Sequence, residues 1–169
     1  MTITIVTGDI TELEIDCIVN AANAALAPGS GVDGAIRRAA GPALTDATRA
    51  IGGCPTGEAV ITPGFDLNAR FVIHTVAPIF AQHTEEETRH LLRRCYANSL
   101  VLAQAHQIEA IAFPALGTGI YGVPMALACP IAVSAVRTHL TALPLPRRVL
   151  FCCNSERDAE AYRLELKKG

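Results

Sequence analysis

The stretch DCIVNAANAALAPGSGVDG at residues 16–34 carries the local signals that decide the fold. It begins with an apolar, strand-like run (16–21) and ends in a helical pattern that continues over 32–40. Between them lies a glycine-containing segment, which we call the first loop (residues 22–31). A strand, a glycine loop and a helix in this order are typical of α/β proteins, in which ligands collect where loops leave the carboxyl ends of strands.

The same alternation of strand and helix patterns continues along the chain. Several strand-like runs are apolar throughout, which indicates strands covered on both faces. The other strand-like runs are 3–6, 59–62, 71–76, 110–113 and 149–153. Further helical patterns are 42–51, 84–105, 124–140 and 155 to the C-terminal lysines. We therefore predict a single domain over residues 1–169, with an α/β fold: a three-layer α/β/α sandwich whose central sheet is mixed but largely parallel.

Two of these helices have clear start signals. Thr84 followed by Glu87 has the pattern of a capping box, in which each residue bonds the backbone of the other. Ser155 is a typical N-cap residue, with acidic residues in the turn that follows it. Both signals predict that a helix begins immediately after the capping residue.

Composition limits the classes of function open to this chain. Half of the 169 residues are hydrophobic, aromatic residues are few, and the formal net charge is −2. No basic face for general nucleic-acid binding is indicated, and no apolar run reaches the length that crosses a bilayer. The N-terminal residues enter a strand pattern without a basic region or a cleavage site, so we expect a cytoplasmic protein.

Six cysteines raise the alternatives of disulfides, zinc and buried thiols. No C-x-x-C pair occurs, and no histidine stands at zinc-finger spacing from a cysteine pair. Several of the cysteines lie inside apolar runs. We therefore predict buried, reduced thiols at Cys17, Cys54, Cys95, Cys129, Cys152 and Cys153.

A second glycine-rich segment separates another strand from a helix. It reads PALGTGIYGVP at residues 114–124, and we call it the second loop. Neither loop ends in the Gly-Lys-Ser/Thr of a Walker A motif, and no G-x-G-x-x-G follows the first strand. Glycine lets backbone N–H groups approach an anion closely, and a helix N-terminus adds to the attraction. At neighbouring strand ends, the two loops could hold a diphosphate from both sides.

Polar residues beside the first loop are the candidates for chemistry. We interpret Asn20, at the end of a strand, as a structural residue that ties down the loop. Asn23 and Asp33 flank the glycines and are less easily explained in this way, although helix capping is an alternative role for Asp33. Asp9 is either a turn residue or a carboxylate that recognises a base. His74 lies inside a strand-like run, which favours a structural histidine over a catalytic base.

At these residues the sequence resembles the macro domain family, and in particular its MacroD-type branch. The matching segments occur in the family's order and cover nearly the whole chain, and together they are highly specific. They are GDIT at 8–11, VNAAN at 19–23, GVDGAI at 31–36, RAAG at 38–41, CPTGEA at 54–59, VIHTV at 72–76 and GIYG at 119–122.

The resemblance implies an ADP-ribose cleft along one edge of the sheet. Asp9 would accept a hydrogen bond from the adenine amino group, and the two loops would hold the diphosphate. Asn23 would orient the distal ribose, Asp33 would stand near its anomeric carbon, and Tyr121 would close over the sugar. The implied ligand-binding residues are Asp9, Ile10, Asn23, Gly31, Val32, Asp33, Gly117, Thr118, Gly119, Ile120, Tyr121 and Asn154.

The resemblance also implies an activity. MacroD-type members hydrolyse esters of the distal ribose, in O-acetyl-ADP-ribose and in ADP-ribosylated glutamate or aspartate side chains. Asn23 and Asp33 would be the catalytic residues, without a metal or another cofactor, and with ADP-ribosylated proteins or O-acetyl-ADP-ribose as partners. A non-catalytic ADP-ribose-binding module is the alternative. A purely structural domain explains the coexistence of Asp9, Asn23, Asp33 and both glycine loops poorly.

Five positions depart from the branch's usual pattern. Pro28 and Ser30 stand where a run of glycines is usual, which predicts a stiffer first loop. Arg37 replaces a common histidine, and we interpret it as a surface change. Gly117 replaces a serine, which predicts a looser second loop. Asn154 stands where many members place an aromatic residue against adenine, which predicts weaker stacking.

Overall fold

The computed structural model describes all 169 residues and has a central sheet of six strands. Each strand begins and ends within one residue of a predicted run, because the apolar runs and the turn residues around them are local signals. The strands are β1 (Thr2–Thr7), β2 (Cys17–Ala21), β3 (Ala59–Pro63), β4 (Phe71–Thr75), β5 (Ala110–Phe113) and β6 (Arg148–Cys153).

Five α-helices connect or follow the strands at the predicted places. The capping box before the third helix is present: Oγ1 of Thr84 accepts from the Glu87 N–H at 3.1 Å, and Oε1 of Glu87 accepts from the Thr84 N–H at 2.9 Å. Oγ of Ser155 accepts from the Asp158 N–H at 3.2 Å in the same way. The helices are α1 (Gly31–Ala40), α2 (Pro42–Ile51), α3 (Glu85–Ala105), α4 (Met125–Ala142) and α5 (Glu156–Leu166).

The sheet is mixed and mainly parallel, as predicted. Its strand order is β1-β6-β5-β2-β4-β3, and every neighbouring pair is parallel except β3 with β4. The carboxyl ends of five strands therefore lie along one edge of the sheet. Since β2 lies beside β5, the first and second loops leave adjacent strands, which is the arrangement that a shared diphosphate site requires.

Helices cover both faces of the sheet and complete three layers. Val19, Phe113 and Phe151 point to one face, where they join a core with the buried residues of α3, α4 and α5. Their chain neighbours Ile18, Ala112 and Leu150 point to the other face, where they pack with α1 and α2. This alternation follows from the two-residue repeat of a strand.

One sequence-based statement needs correction and another is confirmed. Helix α4 is long and apolar enough to cross a membrane by length and composition, contrary to the expectation that no run reaches that length. Half of its residues are buried against α3, α5 and the sheet, and these contacts explain its apolar composition. All six cysteines are buried and unpaired, as predicted.

Candidate ligand cleft and active site

Four of the segments singled out in the sequence meet at the carboxyl edge of the sheet. Asp9 follows β1, the first loop follows β2, the second loop follows β5, and Asn154 follows β6. The Gly8 N–H bonds the Cys153 carbonyl at 3.0 Å and ties the end of β1 to the end of β6. The edge therefore brings the predicted adenine, diphosphate and ribose residues into one continuous region.

Unpaired backbone N–H groups occur in both loops. The amides of Gly31, Val32 and Asp33 begin α1 and have no acceptor within the protein, as expected for the first turn of a helix. In the second loop, the amides of Gly119, Ile120 and Tyr121 also have no acceptor. Two sets of free donors on adjacent strand ends form a site suited to an anion with two phosphate groups.

The second loop is held by its own hydrogen bonds. The Gly122 N–H bonds the Gly119 carbonyl at 3.0 Å, and the Val123 N–H bonds the Gly117 carbonyl at 2.9 Å. Gly117 has a φ of +80°, and a Cβ there would lie 3.0 Å from Cγ2 of Val123. Glycine is the residue that this conformation favours. The conformation gives Gly117 a structural role that the sequence analysis did not foresee, and its effect on the rigidity of the loop stays a prediction.

The side chain of Asn23 closes a ring within the first loop. Its Oδ1 accepts from the Ala27 N–H at 3.0 Å, and its Nδ2 donates to the Ala27 carbonyl at 3.0 Å. One hydrogen on Nδ2 and one lone pair on Oδ1 remain for a ligand. A Cβ built on Gly29 would lie 3.7 Å from Nδ2 of Asn23 and 3.4 Å from Oδ2 of Asp33, so both predicted catalytic residues flank Gly29.

Asp33 is only 3% exposed, and protein donors occupy both of its carboxylate oxygens. Oδ1 accepts from Nδ2 of Asn20 at 2.7 Å. Oδ2 accepts from the Gly29 N–H at 2.7 Å and from Nε of Arg37 at 2.9 Å. None of these donors is a first-turn amide of α1, so the alternative that Asp33 caps this helix is excluded.

Arg37 contacts the candidate active site from inside the protein, and the prediction that it is a surface residue is wrong. It was expected at the surface, but it is only 8% exposed and forms a buried ion pair with Asp33. Asp33 and Arg37 are four residues apart on α1, on the same face as the buried Ile36 and Ala40. That i,i+4 pair of opposite charges on an apolar helix face is the sequence signal for the buried position, although arginine is usually exposed.

His74 is a structural histidine, as predicted. Nε2 lies 2.9 Å from Oγ1 of Thr62, whose hydroxyl donates to the Pro63 carbonyl, so Nε2 carries the imidazole hydrogen. Nδ1 then accepts from Nδ2 of Asn20 at 3.1 Å. Burial, together with the positive charge of Arg37, lowers the pKa of His74 to about 4, and the ring is therefore neutral near pH 7.

The predicted adenine side of the cleft contains Asp9, Ile10 and Asn154. Oδ1 of Asp9 accepts from the N–H and the hydroxyl of Thr11 at 2.9 and 2.7 Å, which is the turn role considered for this residue. Oδ2 has no protein donor and remains available to a base. Ile10 is buried, while Asn154 is exposed and has no hydrogen-bond partner. Ligand contacts of these three residues remain predictions.

The other predicted ligand-binding residues lie in the second loop. Oγ1 of Thr118 donates to the Ala115 carbonyl at 2.8 Å. Ile120 is 89% exposed at the tip of the second loop, and Tyr121 beside it is half-buried. The chain contains no group of three or more His, Cys, Asp or Glu side chains that could hold a metal ion.

The fold and the cleft define an α/β protein with an anion-binding site at the carboxyl edge of its sheet. The model of the macro domain family matches residues 19–132, a range that runs from β2 into α4 and includes both loops. The chain belongs to the macro domain family.

Relatives and solved structures agree over nearly the whole chain. A macro domain-containing protein of Ralstonia nicotianae is 52% identical over 96% of this chain and 92% of its own. The O-acetyl-ADP-ribose deacetylase of Escherichia coli (strain K12) is 49% identical over 98% of this chain and 96% of its own. A mutant Oceanobacillus iheyensis macrodomain with ADPR has a TM-score of 0.93 at 42% identity and covers 97% of this chain and 91% of that one.

Proposed function

We propose that this protein binds ADP-ribose in the described cleft and hydrolyses O-acetyl-ADP-ribose to ADP-ribose and acetate. The observation that carries the proposal is the pair of free amide sets, at the start of α1 and in the second loop, beside Asn23 and Asp33. A macro domain relative with 49% identity is named an O-acetyl-ADP-ribose deacetylase. The second comparison that supports the proposal is the structural match to a macrodomain with ADPR.

The ligand would lie along the edge of the sheet from β1 to the second loop. Oδ2 of Asp9 accepts from the adenine amino group, and the free amides of both loops bind the diphosphate. The distal ribose then reaches Asn23, whose remaining donor and acceptor can orient its hydroxyls. Tyr121 covers the far side of this sugar.

Hydrolysis in this cleft is mainly a matter of positioning. Water attacks the ester, the bond between the acyl group and the ribose oxygen breaks, and the products are the free acid and ADP-ribose. Oδ1 of Asp33 retains one acceptor position beyond the Asn20 donor, and it can hold the attacking water. The free amides stabilise negative charge on the bound ligand. No cofactor takes part in this scheme.

The proposal extends to ADP-ribosylated proteins as substrates. An ADP-ribosylated glutamate or aspartate side chain is also an ester of the distal ribose, so the same groups would act on it. The exposure of Ile120 at the tip of the second loop leaves room for a polypeptide beside the sugar.

The six buried, unpaired thiols are consistent with the reducing cytoplasm as the compartment.

A binding module without turnover is the second candidate, and one observation favours it. Three protein donors already occupy the Asp33 carboxylate, as they would if this side chain only maintained the shape of the loop. The two candidates share the same ADP-ribose site and differ in whether an ester is cleaved there.

The deciding experiment measures acetate release from O-acetyl-ADP-ribose and calorimetric binding of ADP-ribose by the same preparations. We expect turnover by the wild type and a roughly 100-fold lower kcat for Asp33→Asn, with ADP-ribose binding retained. Asp46→Asn, on the exposed surface of α2, is the matched control and should behave as the wild type. Binding without turnover by the wild type would make the protein a binding module, and the absence of binding would refute both candidates.

A further inference from the structure

We propose that Arg37 is a positioning residue for the hydrolysis, which holds the Asp33 carboxylate and the first loop in their reactive arrangement before the ligand arrives. The inference rests on the proposed function, because it concerns the same cleft. Arg37 makes its contacts from behind the loop, inside the protein, and acts on the ligand only through Asp33 and the loop backbone.

One guanidinium joins three separate parts of the fold. Nε donates to Oδ2 of Asp33 in α1 at 2.9 Å, and Nη2 donates to the Leu26 carbonyl in the first loop at 3.0 Å. Nη1 donates to Oγ1 of Thr45 and Oγ1 of Thr48 in α2, each at 3.1 Å. The fork of a guanidinium is planar and its donor directions are fixed, so these contacts define the relative positions of the three partners.

The first loop is held at two points by the Asp33–Arg37 pair. Arg37 binds the Leu26 carbonyl, and Asp33 binds the Gly29 N–H. Leu26 has a φ of +55°, a conformation that residues other than glycine rarely adopt, and its side chain is buried. A loop residue in such a conformation persists where surrounding contacts enforce it. The Arg37 donor is one of those contacts.

The pair also determines where the free donors of the cleft point. Asp33 lies in the first turn of α1, whose first amides are unpaired, and its side chain accepts from the Gly29 N–H just before that helix. A displaced Asp33 carboxylate would shift the Gly29 backbone and the water position at Oδ1 together. Arg37 forms no hydrogen bond with the adenine end or with the second loop, so we expect the greater part of the binding surface not to depend on it.

No other side chain type reproduces this set of contacts. Lysine keeps the buried charge and the pair with Asp33, but its single ammonium cannot reach Asp33, Leu26 and Thr48 in the same geometry. Methionine fills a similar volume and supplies no donor, which leaves the buried carboxylate without its counter-ion. The two substitutions therefore separate the effect of charge from the effect of the fork.

The test compares kcat and KM for O-acetyl-ADP-ribose in wild type, Arg37→Lys and Arg37→Met. We expect kcat to fall roughly tenfold in Arg37→Lys and roughly 100-fold in Arg37→Met, with KM within about threefold of wild type, because misplacement affects the reacting groups more than the binding surface. Arg49→Met is the matched control: its guanidinium pairs with Asp46 at 3.3 Å on the exposed face of α2, and its loss should change neither constant.

A second readout follows the imidazole of His74 by NMR titration. The charge of Arg37 contributes to the low pKa of His74, so Arg37→Met should raise that pKa while Arg37→Lys leaves it near the wild-type value. If Arg37→Met does not fold, Arg37→Lys decides the question. A wild-type kcat in a folded Arg37→Lys variant, or a change confined to KM, would overturn the inference alone. Absence of hydrolysis by the wild type would instead refute the proposed function.

Discussion

Asn20 on β2 lies directly opposite His74 on β4, and Nδ2 of Asn20 is 3.1 Å from Nδ1 of His74. The same amide nitrogen donates to Oδ1 of Asp33 at 2.7 Å. One side chain thus connects the candidate active-site carboxylate to an imidazole that lies deep in the sheet. Its other atom, Oδ1, is buried without a partner, which shows that both amide hydrogens determine its orientation.

The His74 imidazole makes stability depend on pH in the weakly acidic range. Its pKa is about 4 in the folded protein, mainly because of burial, and its ordinary value is 6.5. Between these values the unfolded chain binds a proton that the folded protein does not. The free energy of unfolding is therefore highest above pH 6.5. It decreases as the pH falls toward 4, and at pH 5 it is lower by roughly 2 kcal/mol.

Urea denaturation at pH 7.5 and pH 5 measures this loss. His74→Gln has no titrating ring, so its free energy of unfolding should change less between the two pH values than that of the wild type. Equal pH dependence in both proteins would show that His74 is not the responsible group.

Gly117 should be sensitive to substitution and Gly119 should not. Gly117→Ser combines a φ of +80° with a Cβ 3.0 Å from Val123, and it should lower the free energy of unfolding by about 1 kcal/mol. Gly119→Ala places its methyl group in open space and should be nearly neutral for stability. Denaturant midpoints of the two variants provide the comparison. A midpoint for Gly117→Ser equal to that of wild type would refute this reading of the second loop.

Asn154→Tyr should strengthen the binding of ADP-ribose. Asn154 is exposed at the end of β6, next to the predicted adenine position, and an aromatic ring there would stack on the base. A gain of about 1 kcal/mol corresponds to roughly fivefold tighter binding by calorimetry. Thr138→Tyr, at an exposed position near the C-terminal end of α4, is the surface control. Unchanged affinity in Asn154→Tyr would contradict the stacking argument.

Asn23→Ala should weaken both binding and turnover. The substitution removes the two 3.0 Å bonds to Ala27 that close the first loop, together with the donor and acceptor assigned to the distal ribose. We expect roughly tenfold weaker ADP-ribose binding, equivalent to about one hydrogen bond, and a larger loss of kcat. Affinity and kcat equal to wild type would mean that Asn23 only shapes the loop.

The elements of this fold were predictable because their signals are local. The run at 110–113 and the helix at 42–51 coincide with β5 and α2, since apolar stretches and flanking glycine or proline mark their ends. The strand order was not predictable in the same way. It depends on which apolar strands pair across the chain, and β1 pairs with β6, almost 150 residues later.

The parts of the site that lie in the two loops were predictable from the sequence. The contacts of its buried side chains were less predictable. The two glycine loops predicted an anion-binding site, and in the structure they follow adjacent strands, β2 and β5. The surface position predicted for Arg37 was wrong, because Leu26 and Thr48 accept from its guanidinium only once the first loop and α2 have packed around α1. A charged side chain is predicted to be exposed unless the sequence also identifies the counter-ion that would pair with it in the interior.

The thiol of Cys54 lies beneath the first loop, where its reactivity can report whether the loop covers it. Cys54 is buried against Leu26 and Val76, and its N–H bonds the Ala24 carbonyl at 2.8 Å. Burial raises the pKa of this thiol and leaves it 2% exposed, so we expect alkylation to be slow while the loop is in place. Slower alkylation of Cys54 in the presence of ADP-ribose would then show that the bound nucleotide keeps the first loop closed over this thiol.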